Sequence, residues 1–257
     1  MNPTASASPV PDLRIGYLFS LSWRAFKTRP RFLAGATAFG NLLMPFLMGF
    51  VLELLRILLF AKSPTVGHVF KILLALLNTC FLSGLMIVSM RFWLGQDAAF
   101  GMVFAGFRRF WRILGLCLVG LAAFVAGVLL LGFLAGPVTA AAGGATLGLL
   151  TVFLILAALY LGIALGPALV VILETNLGVF SSLRLSWNLT RGHWWALFLA
   201  VLASTVFGLA GFLALGVGAL VTLPVGQIML MGAYDELARA YAARAPAATA
   251  PPAPAGA

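Results

Sequence analysis

One short pattern, an amphipathic segment rich in aromatic residues and arginine that leads into two long apolar stretches, occurs three times in this chain. The copies surround Trp23, Trp111 and Trp187, which are 88 and 76 residues apart. Recurrence at such a spacing is typical of a repeated supersecondary unit. The three predicted repeat units cover about 12–95, 96–173 and 174–244.

The apolar stretches predict helices that cross a membrane. Of the 257 residues, 63% are hydrophobic and 9% are charged, and about 20 helical residues cross a hydrocarbon core of about 30 Å. The runs are continuous, whereas the strands of a membrane barrel alternate. The six predicted spans lie near 33–58, 69–92, 113–135, 145–173, 194–215 and 217–236. We therefore predict an all-α integral membrane protein with six transmembrane helices arranged as three hairpins, each preceded by an amphipathic interfacial helix.

The two ends of the chain are predicted to be disordered. Residues 1–11 contain neither the positive region nor the isolated apolar core of a removable signal peptide. Residues 245–257 are rich in Ala and Pro and carry no charge, a composition that cannot form a packed core. The predicted membrane domain therefore covers residues 12–244.

Basic residues are concentrated on one side of the predicted spans. Only Arg56, Lys62 and Lys71 fall on the other side. The remaining thirteen are Arg14, Arg24, Lys27, Arg29, Arg31, Arg91, Arg108, Arg109, Arg112, Arg184, Arg191, Arg239 and Arg244. Because cytoplasmic loops are enriched in Lys and Arg, both termini are predicted to lie in the cytoplasm of a bacterial cell, with the helices in its cytoplasmic (inner) membrane.

Two explanations account for the net charge of +10 in a protein with this topology. Basic residues beside membrane helices set orientation, and near an anionic membrane surface each also contributes about 1 kcal/mol of binding. Nucleic acid is not an expected partner, because the basic residues are divided among short segments without a recognition motif.

The three repeated segments show a helical period, and we call them together the collar. The apolar face of the first segment comprises Ile15, Leu18, Phe19 and Phe26. That of the second comprises Phe100, Val103, Phe104, Phe107, Trp111 and Leu114, and that of the third comprises Phe180, Leu183, Trp187 and Thr190. Each segment is predicted to lie as a helix in the cytoplasmic interface.

The polar faces of the collar, with its tryptophans, supply a candidate surface for lipid or for a partner protein. The predicted binding residues are Trp23, Arg24, Lys27, Arg108, Arg109, Trp111, Arg112, Arg184, Trp187 and Arg191. The alternative is that Trp and Arg only anchor the helices at the interface.

A family resemblance rests on the third unit. Residues 166–174 read GPALVVILE and residues 182–192 read SLRLSWNLTRG. They resemble the membrane domain related to glycerophosphoryl diester phosphodiesterase, with its acidic span end, its interfacial helix and a last hairpin that ends near a tyrosine, here Tyr234 or Tyr241. The similarity covers about 160–241. It implies the fold and transfers no catalytic residue, since the activity belongs to a separate catalytic domain, and a catalytic barrel alone needs about 250 residues.

The chain has few residues of the kinds that catalyse reactions or bind metal ions. Cys80 and Cys117 fall within predicted spans, and His68 and His193 fall near opposite membrane faces without an acidic cluster. No metal site and no cofactor are expected. The chain contains no phosphate-binding loop, no H-E-x-x-H and no G-x-S-x-G motif. A non-enzymatic protein is therefore predicted.

Three acidic or basic positions suggest structural polar pairs. Glu53 and Arg56 are three residues apart and share a helical face, where they can pair. Their place near the outer end of the first span favours a pair at the membrane surface over a functional pair at membrane depth. Glu174 ends the fourth predicted span, where it either pairs with Arg184 or Arg191 or is an exposed acid.

Two classes of function are compatible with the sequence. One is a scaffold or accessory subunit whose collar contacts anionic lipid or a membrane-protein partner. The other is a small transporter or permease-like protein for a lipid or hydrophobic solute. Transporters commonly bind their substrates near the membrane midplane, where the sequence places no charged residue.

Overall fold

A computed structural model of the protein describes residues 13–60, 64–142, 144–175, 177–213 and 218–244. All regular structure in these ranges is helical. The two segments predicted to be disordered, 1–11 and 245–257, lie outside the described residues.

The first third of the chain forms α1 (Ile15–Thr28), α2 (Pro30–Thr37), a π-helical segment (Ala38–Leu43), α3 (Met44–Phe60) and α4 (Pro64–Trp93). Pro30 begins α2, where the missing N–H of proline costs nothing. The π-helical segment ends just before Pro45, whose missing N–H leaves the Asn41 carbonyl without its usual helical donor, and a widened turn is one way to accommodate that loss.

The middle third contains a 3₁₀ helix (Phe100–Phe104), α5 (Ala105–Arg108), α6 (Phe110–Ala142) and α7 (Gly144–Glu174). The second collar segment is therefore not the single amphipathic helix that its periodicity predicts. The chain turns at Arg109, which has a φ of −116° and a ψ of 23°. The prediction of one continuous interfacial helix at this place is wrong.

The last third forms α8 (Val179–Thr190), α9 (Trp194–Leu213) and α10 (Ala219–Arg244). The turn between α8 and α9 uses Gly192 at a φ of +87°, a conformation that only glycine adopts without strain.

Five helical stretches in the described part of the chain are long and apolar enough to cross a membrane. They are Pro30–Leu58, Gly67–Trp93, Phe110–Leu130, Thr151–Glu174 and Trp194–Leu213. The sixth predicted span falls on α10, which is long enough but more polar, because Gln227, Asp235, Glu236 and Arg239 interrupt its apolar sequence.

The surface of the long helices is strongly apolar. Phe46, Phe133 and Leu213 are 74%, 78% and 88% exposed, and many other large apolar side chains are at least 40% exposed. A protein in water rarely leaves so much contiguous apolar surface uncovered. Together with the five long apolar helices, this surface indicates a membrane protein.

The buried core lies toward one end of the helices, where α4 ends, α6 begins, α7 ends and α9 begins. We call this the collar end. Its buried residues come from α1, α4, α7, α9 and α10 and include Leu18, Met90, Val170, Leu197 and Met231. Toward the opposite end the described parts of α3, α6 and α7 are largely exposed. The collar end is therefore the tightly packed part of the molecule.

Candidate functional site

The first collar segment forms α1, and its inner face is packed against protein. Leu18, Ser22 and Phe26 are buried, and the Ser22 hydroxyl donates to the Leu18 carbonyl oxygen at 2.7 Å. This face contacts α10 and α4. These contacts fix α1 on the bundle.

The outer flank of α1 presents Trp23 together with two cations. The ring of Trp23 stacks between Phe19 and Phe26, with centroids 6.3 and 5.8 Å away. Lys27 places Nζ 5.6 Å from the Trp23 ring centroid, within range of a cation–π interaction. Arg24 is exposed. The Trp23 ring is thus fixed in place, while Arg24 points into the surroundings.

The second collar segment packs on α4 through two glycines. A Cβ atom on Gly106 would overlap with the carbonyl oxygen of Cys80, and one on Gly84 would overlap with that of Val103. The two backbones therefore touch directly, and only glycine permits this approach.

Aromatic rings fill the space around this contact. Phe81 of α4 contacts Phe104 and Phe107 at 5.7 and 5.1 Å between centroids. Phe39 of the first span contacts Phe100 and Phe104 at 5.1 and 5.8 Å. Phe100, Phe104 and Phe107 thus each contact protein on one side, although Phe100 and Phe104 remain exposed on the other.

Arg109, at the turn before α6, joins two helices. Its Nη1 donates to the carbonyl oxygen of Ile172 and, at 2.8 Å, to that of Thr175. Carbonyls at a helix C-terminus have no donor within the helix and carry partial negative charge. Arg109 therefore caps α7, whereas Arg108 beside it is exposed.

The surroundings of Arg109 perturb its ionisation. Burial lowers the pKa of Arg109, the neighbouring Arg112 acts in the same direction, and the carboxylate of Glu174 opposes both. A guanidinium remains protonated at neutral pH, so the cap keeps its charge. Glu174 is half-buried, and no ion pair in the described residues joins it to Arg184 or Arg191.

The third collar segment forms α8, and the residues it buries are mostly small and polar. Ser182, Ser186, Leu189 and Thr190 are buried. Of the predicted apolar face, Phe180 is 77% exposed and Trp187 is 39% exposed. Phe180 and Trp187 therefore lie outside the side of α8 that packs against protein, whereas Thr190 lies on it.

The hydroxyls of α8 bond to a carbonyl of α7. Ser186 donates to the Ala164 carbonyl oxygen at 2.9 Å, and Thr190 lies 3.3 Å from the same oxygen. Pro167 lacks the N–H that would bond to the Ile163 carbonyl, one residue before Ala164, so the contact with α8 lies beside an interrupted stretch of the helical ladder. Small hydroxyl residues at such contacts let membrane helices approach closely.

The ten predicted binding residues therefore separate into two groups at the collar end. The more embedded residues are Trp23, Arg109 and Arg112, which are half-buried. The exposed residues are Arg24, Lys27, Arg108, Trp111, Arg184, Trp187 and Arg191. Trp111, at 79% exposed, is the most exposed tryptophan at this end.

One polar contact at the collar end involves two residues that the sequence analysis did not select. Trp93, the last residue of α4, donates from Nε1 to Asp235 of α10 at 2.9 Å. Asp235 also pairs with Arg239 at 2.7 Å. The sequence offers no periodic signal for such a contact, because 142 residues separate its partners.

Glu53 and Arg56 lie far from the collar, in the second half of α3. Arg56 donates from Nε to Glu53 Oε2 at 2.9 Å, and its Nη2 lies 2.5 Å from Oε1. The two residues that share a helical face thus form an ion pair.

A cavity of about 820 Å³ lies between α6 and α7 and reaches α4, α8 and α10. Its wall is almost entirely apolar, and Tyr234 of α10 lies at the buried end. A second cavity of about 270 Å³ lies between α9 and α10 beside Gln227, whose buried Oε1 has no hydrogen-bond partner. Neither cavity includes Asn41 or Asn78.

The cysteines and histidines form no cluster. Cys80 and Cys117 are both free thiols. In the described ranges, no three His, Cys, Asp or Glu side chains lie close enough together to hold a metal ion.

Comparison with known proteins finds no relative: no family model matches the chain, and neither a curated protein nor a solved structure does. The resemblance of residues 160–241 to the membrane domain related to glycerophosphoryl diester phosphodiesterase therefore stays a prediction.

Proposed function

We propose that this protein is a non-enzymatic, multi-pass membrane protein, a scaffold or accessory subunit whose collar contacts anionic lipid or a membrane-protein partner. The supporting observation is a set of five exposed cations at the collar end beside exposed Trp111 and Trp187. The five cations are Arg24, Lys27, Arg108, Arg184 and Arg191. None of them forms an ion pair with another described residue.

The chemistry of this surface suits a lipid headgroup. Unpaired cations attract phosphates, and each basic residue near an anionic surface adds about 1 kcal/mol of binding. Exposed tryptophans prefer the boundary between headgroups and hydrocarbon. Nucleic acid is not part of the proposal.

We propose six spans arranged as three hairpins. The pairs α3 with α4, α6 with α7, and α9 with α10 are each in contact. The hydrogen bond from Trp93 to Asp235 brings the charged end of α10 to the collar end, which is the arrangement that a sixth crossing requires. With the basic residues at the cytoplasmic face, both termini lie in the cytoplasm and the helices in the bacterial inner membrane.

The lipid proposal can be tested with charge variants that leave the Arg109 cap intact. In nanodiscs of phosphatidylethanolamine and phosphatidylglycerol, the triple variant Arg108→Gln, Arg184→Gln and Arg191→Gln should retain several-fold less phosphatidylglycerol when the protein is released for native mass spectrometry. Lys71→Gln, an exposed change in the first turns of α4, is the control and should retain the wild-type amount. Equal retention in all three proteins would reject lipid binding by the collar, and a co-purifying protein lost in the triple variant would favour the partner instead.

The second candidate, a permease for a lipid or hydrophobic solute, is favoured by the 820 Å³ cavity. A transporter must open such a cavity to each side of the membrane in turn. Under our proposal, liposomes containing the protein should exchange fluorescent phospholipid between leaflets no faster than protein-free liposomes. Faster exchange that depends on protein concentration would favour the permease.

A further inference from the structure

The cavity between α6 and α7 exists because small residues face each other across it. On α6 these are Gly120, Ala123 and Gly127, and on α7 they include Ala158 and Gly162. Their spacing of three or four residues keeps them on one face of each helix. The missing side chains leave a groove along the helices.

The groove opens sideways toward the bilayer. Phe124, Leu130 and Phe153 at its outer part are 58%, 59% and 70% exposed. These residues belong to stretches that are apolar enough to cross the membrane. The mouth of the groove therefore faces hydrocarbon, and an occupant enters from the lipid phase.

The inner end of the groove contains a polar atom without a partner. Tyr234 is 7% exposed and lines the cavity, and its hydroxyl lies 2.9 Å from the position a Cβ would take on Gly166. No other described residue forms a hydrogen bond with this hydroxyl. Buried hydroxyls almost always have a partner, so an occupant with an acceptor oxygen fits here.

The depth of Tyr234 matches the headgroup region. The next residue, Asp235, accepts the hydrogen bond from Trp93 at the end of α4, and Leu183 of the interfacial helix α8 also lines the cavity. On α6, Arg112 lies one turn before the lining residue Leu116, about 6 Å along the same face. A charged group is thus placed just beyond the polar end of the groove.

The length and lining of the groove fit an acyl chain. From Leu116 to Leu130 the groove follows α6 for about 21 Å, which exceeds the thickness of one hydrocarbon leaflet, about 15 Å. A chain that enters from the lipid phase therefore has an apolar wall along the full depth of its leaflet. A helix from a second copy is the competing occupant, and the crosslinking experiment separates the two.

We propose that this groove binds one acyl chain of a membrane phospholipid, with an ester or glycerol oxygen accepting a hydrogen bond from Tyr234 and the phosphate beside Arg112. The inference rests on the proposed function, because the same headgroup lies at the collar. The groove is a defined binding site for a single lipid molecule. The collar, by contrast, attracts anionic lipid without holding one molecule in a fixed position.

The test is photocrosslinking of a bound lipid to the full-length protein. Nanodiscs contain a trace of phosphatidylglycerol or phosphatidylethanolamine with a diazirine in the middle of one acyl chain, and mass spectrometry locates the crosslinks. We expect crosslinks concentrated on groove residues such as Ala123 and Ala157. Ala123→Phe, which fills the groove, should reduce them at least fivefold, whereas Ala126→Phe, on an exposed part of α6 outside the groove, should not.

Tyr234→Phe tests the polar end without disturbing the packed ring. It should reduce crosslinking by about twofold to tenfold, the effect of one hydrogen bond, and leave the melting temperature in lipid-free detergent unchanged. Crosslinks spread evenly around the helices, equal loss in both alanine variants, or a crosslinked dimer of two copies would each overturn the proposal.

The outcomes also separate this inference from the proposed function. If both lipid probes label the groove but the collar variant retains wild-type amounts of phosphatidylglycerol, the groove stands and the anionic collar fails. If the collar variant loses phosphatidylglycerol while the groove stays unlabelled, the collar stands and the groove fails.

Discussion

Arg109 and Thr175 are joined by a 2.8 Å hydrogen bond, in which the guanidinium donates to the carbonyl oxygen just beyond the last residue of α7. The same nitrogen also donates to the carbonyl of Ile172. One side chain thus ties the beginning of α6 to the end of α7 and satisfies carbonyls that no helical N–H reaches. Arg109 therefore has a structural role, whereas the adjacent Arg108 is exposed and available for binding.

Arg109→Gln should destabilise the protein, because an amide cannot supply the charged donor to both carbonyls. The loss should correspond to about 1.5–3 kcal/mol, the range for a hydrogen bond to a charged group, measured as a lower melting temperature in detergent. Arg108→Gln is the matched control, and its melting temperature should be that of the wild type. Equal melting temperatures for the two variants would show that Arg109 does not cap α7.

Gly106→Ala should separate the second collar segment from α4. The added methyl group would overlap with the carbonyl oxygen of Cys80, and a backbone oxygen cannot turn aside as a flexible side chain can. Overpacking of this kind costs about 1–3 kcal/mol or more. The measurement is thermal unfolding, with Gly101→Ala as control, because nothing lies within 4 Å of a Cβ at Gly101. If Gly106→Ala melts together with Gly101→Ala, the close backbone contact does not form.

Continuous apolar sequence is the reason that the long helices could be predicted. The predicted spans 69–92 and 194–215 correspond closely to α4 (Pro64–Trp93) and α9 (Trp194–Leu213). In lipid, a backbone must form its hydrogen bonds within the segment, and a helix does so. The length and composition of an apolar run are therefore enough to predict a helix there. By contrast, the end of α7 and the turn before α6 depend on Arg109, whose partners lie 63 and 66 residues away.

The buried face of α8 could not be predicted from hydrophobic periodicity, whereas that of α1, with Leu18 and Phe26, could. Periodicity locates an apolar stripe, but beside a bilayer that stripe can face either lipid or protein. In α8 the exposed side contains Phe180 and Trp187, while Ser182 and Ser186 are buried. Helices in lipid pack through small residues, so the useful signal was the spacing of Ser182, Ser186 and Thr190.

Two hydroxyls lie within hydrogen-bond distance of the Ala164 carbonyl oxygen, and they predict a non-additive pair of variants. Ser186→Ala alone should cost little, about 0.5 kcal/mol, because Thr190 still lies 3.3 Å from the same oxygen. Adding Thr190→Val removes the second donor and should cost about 1–2 kcal/mol in total. Thermal unfolding of the two single variants, Ser186→Ala and Thr190→Val, and of the double variant checks this, with Ser181→Ala, an exposed change on α8, as control. Strictly additive losses would mean that the hydroxyls do not share Ala164.

Trp93→Phe should loosen the contact between α4 and α10. Phenylalanine keeps a ring but removes the N–H that bonds to Asp235 at 2.9 Å. The free energy of unfolding should fall by about 1.5–3 kcal/mol, since the acceptor is charged. Trp195→Phe changes the same residue type at a site that is 71% exposed and should leave stability unchanged. If the two variants are equally stable, the Trp93–Asp235 bond contributes nothing.

The sixth crossing gives the last prediction, because five and six spans place the end of α10 on opposite sides of the membrane. Single cysteines at the exposed positions Ser20, His68 and Ala243, in a background of Cys80→Ala and Cys117→Ala, can be labelled with an impermeant maleimide. With six spans, Ser20→Cys and Ala243→Cys should react only in inside-out vesicles, and His68→Cys only in right-side-out vesicles. The reason is that α10 reaches the level of Trp93 through Asp235, at the same end as α1. Reaction of Ala243→Cys together with His68→Cys would mean that α10 does not cross, and the three-hairpin arrangement would have to be abandoned.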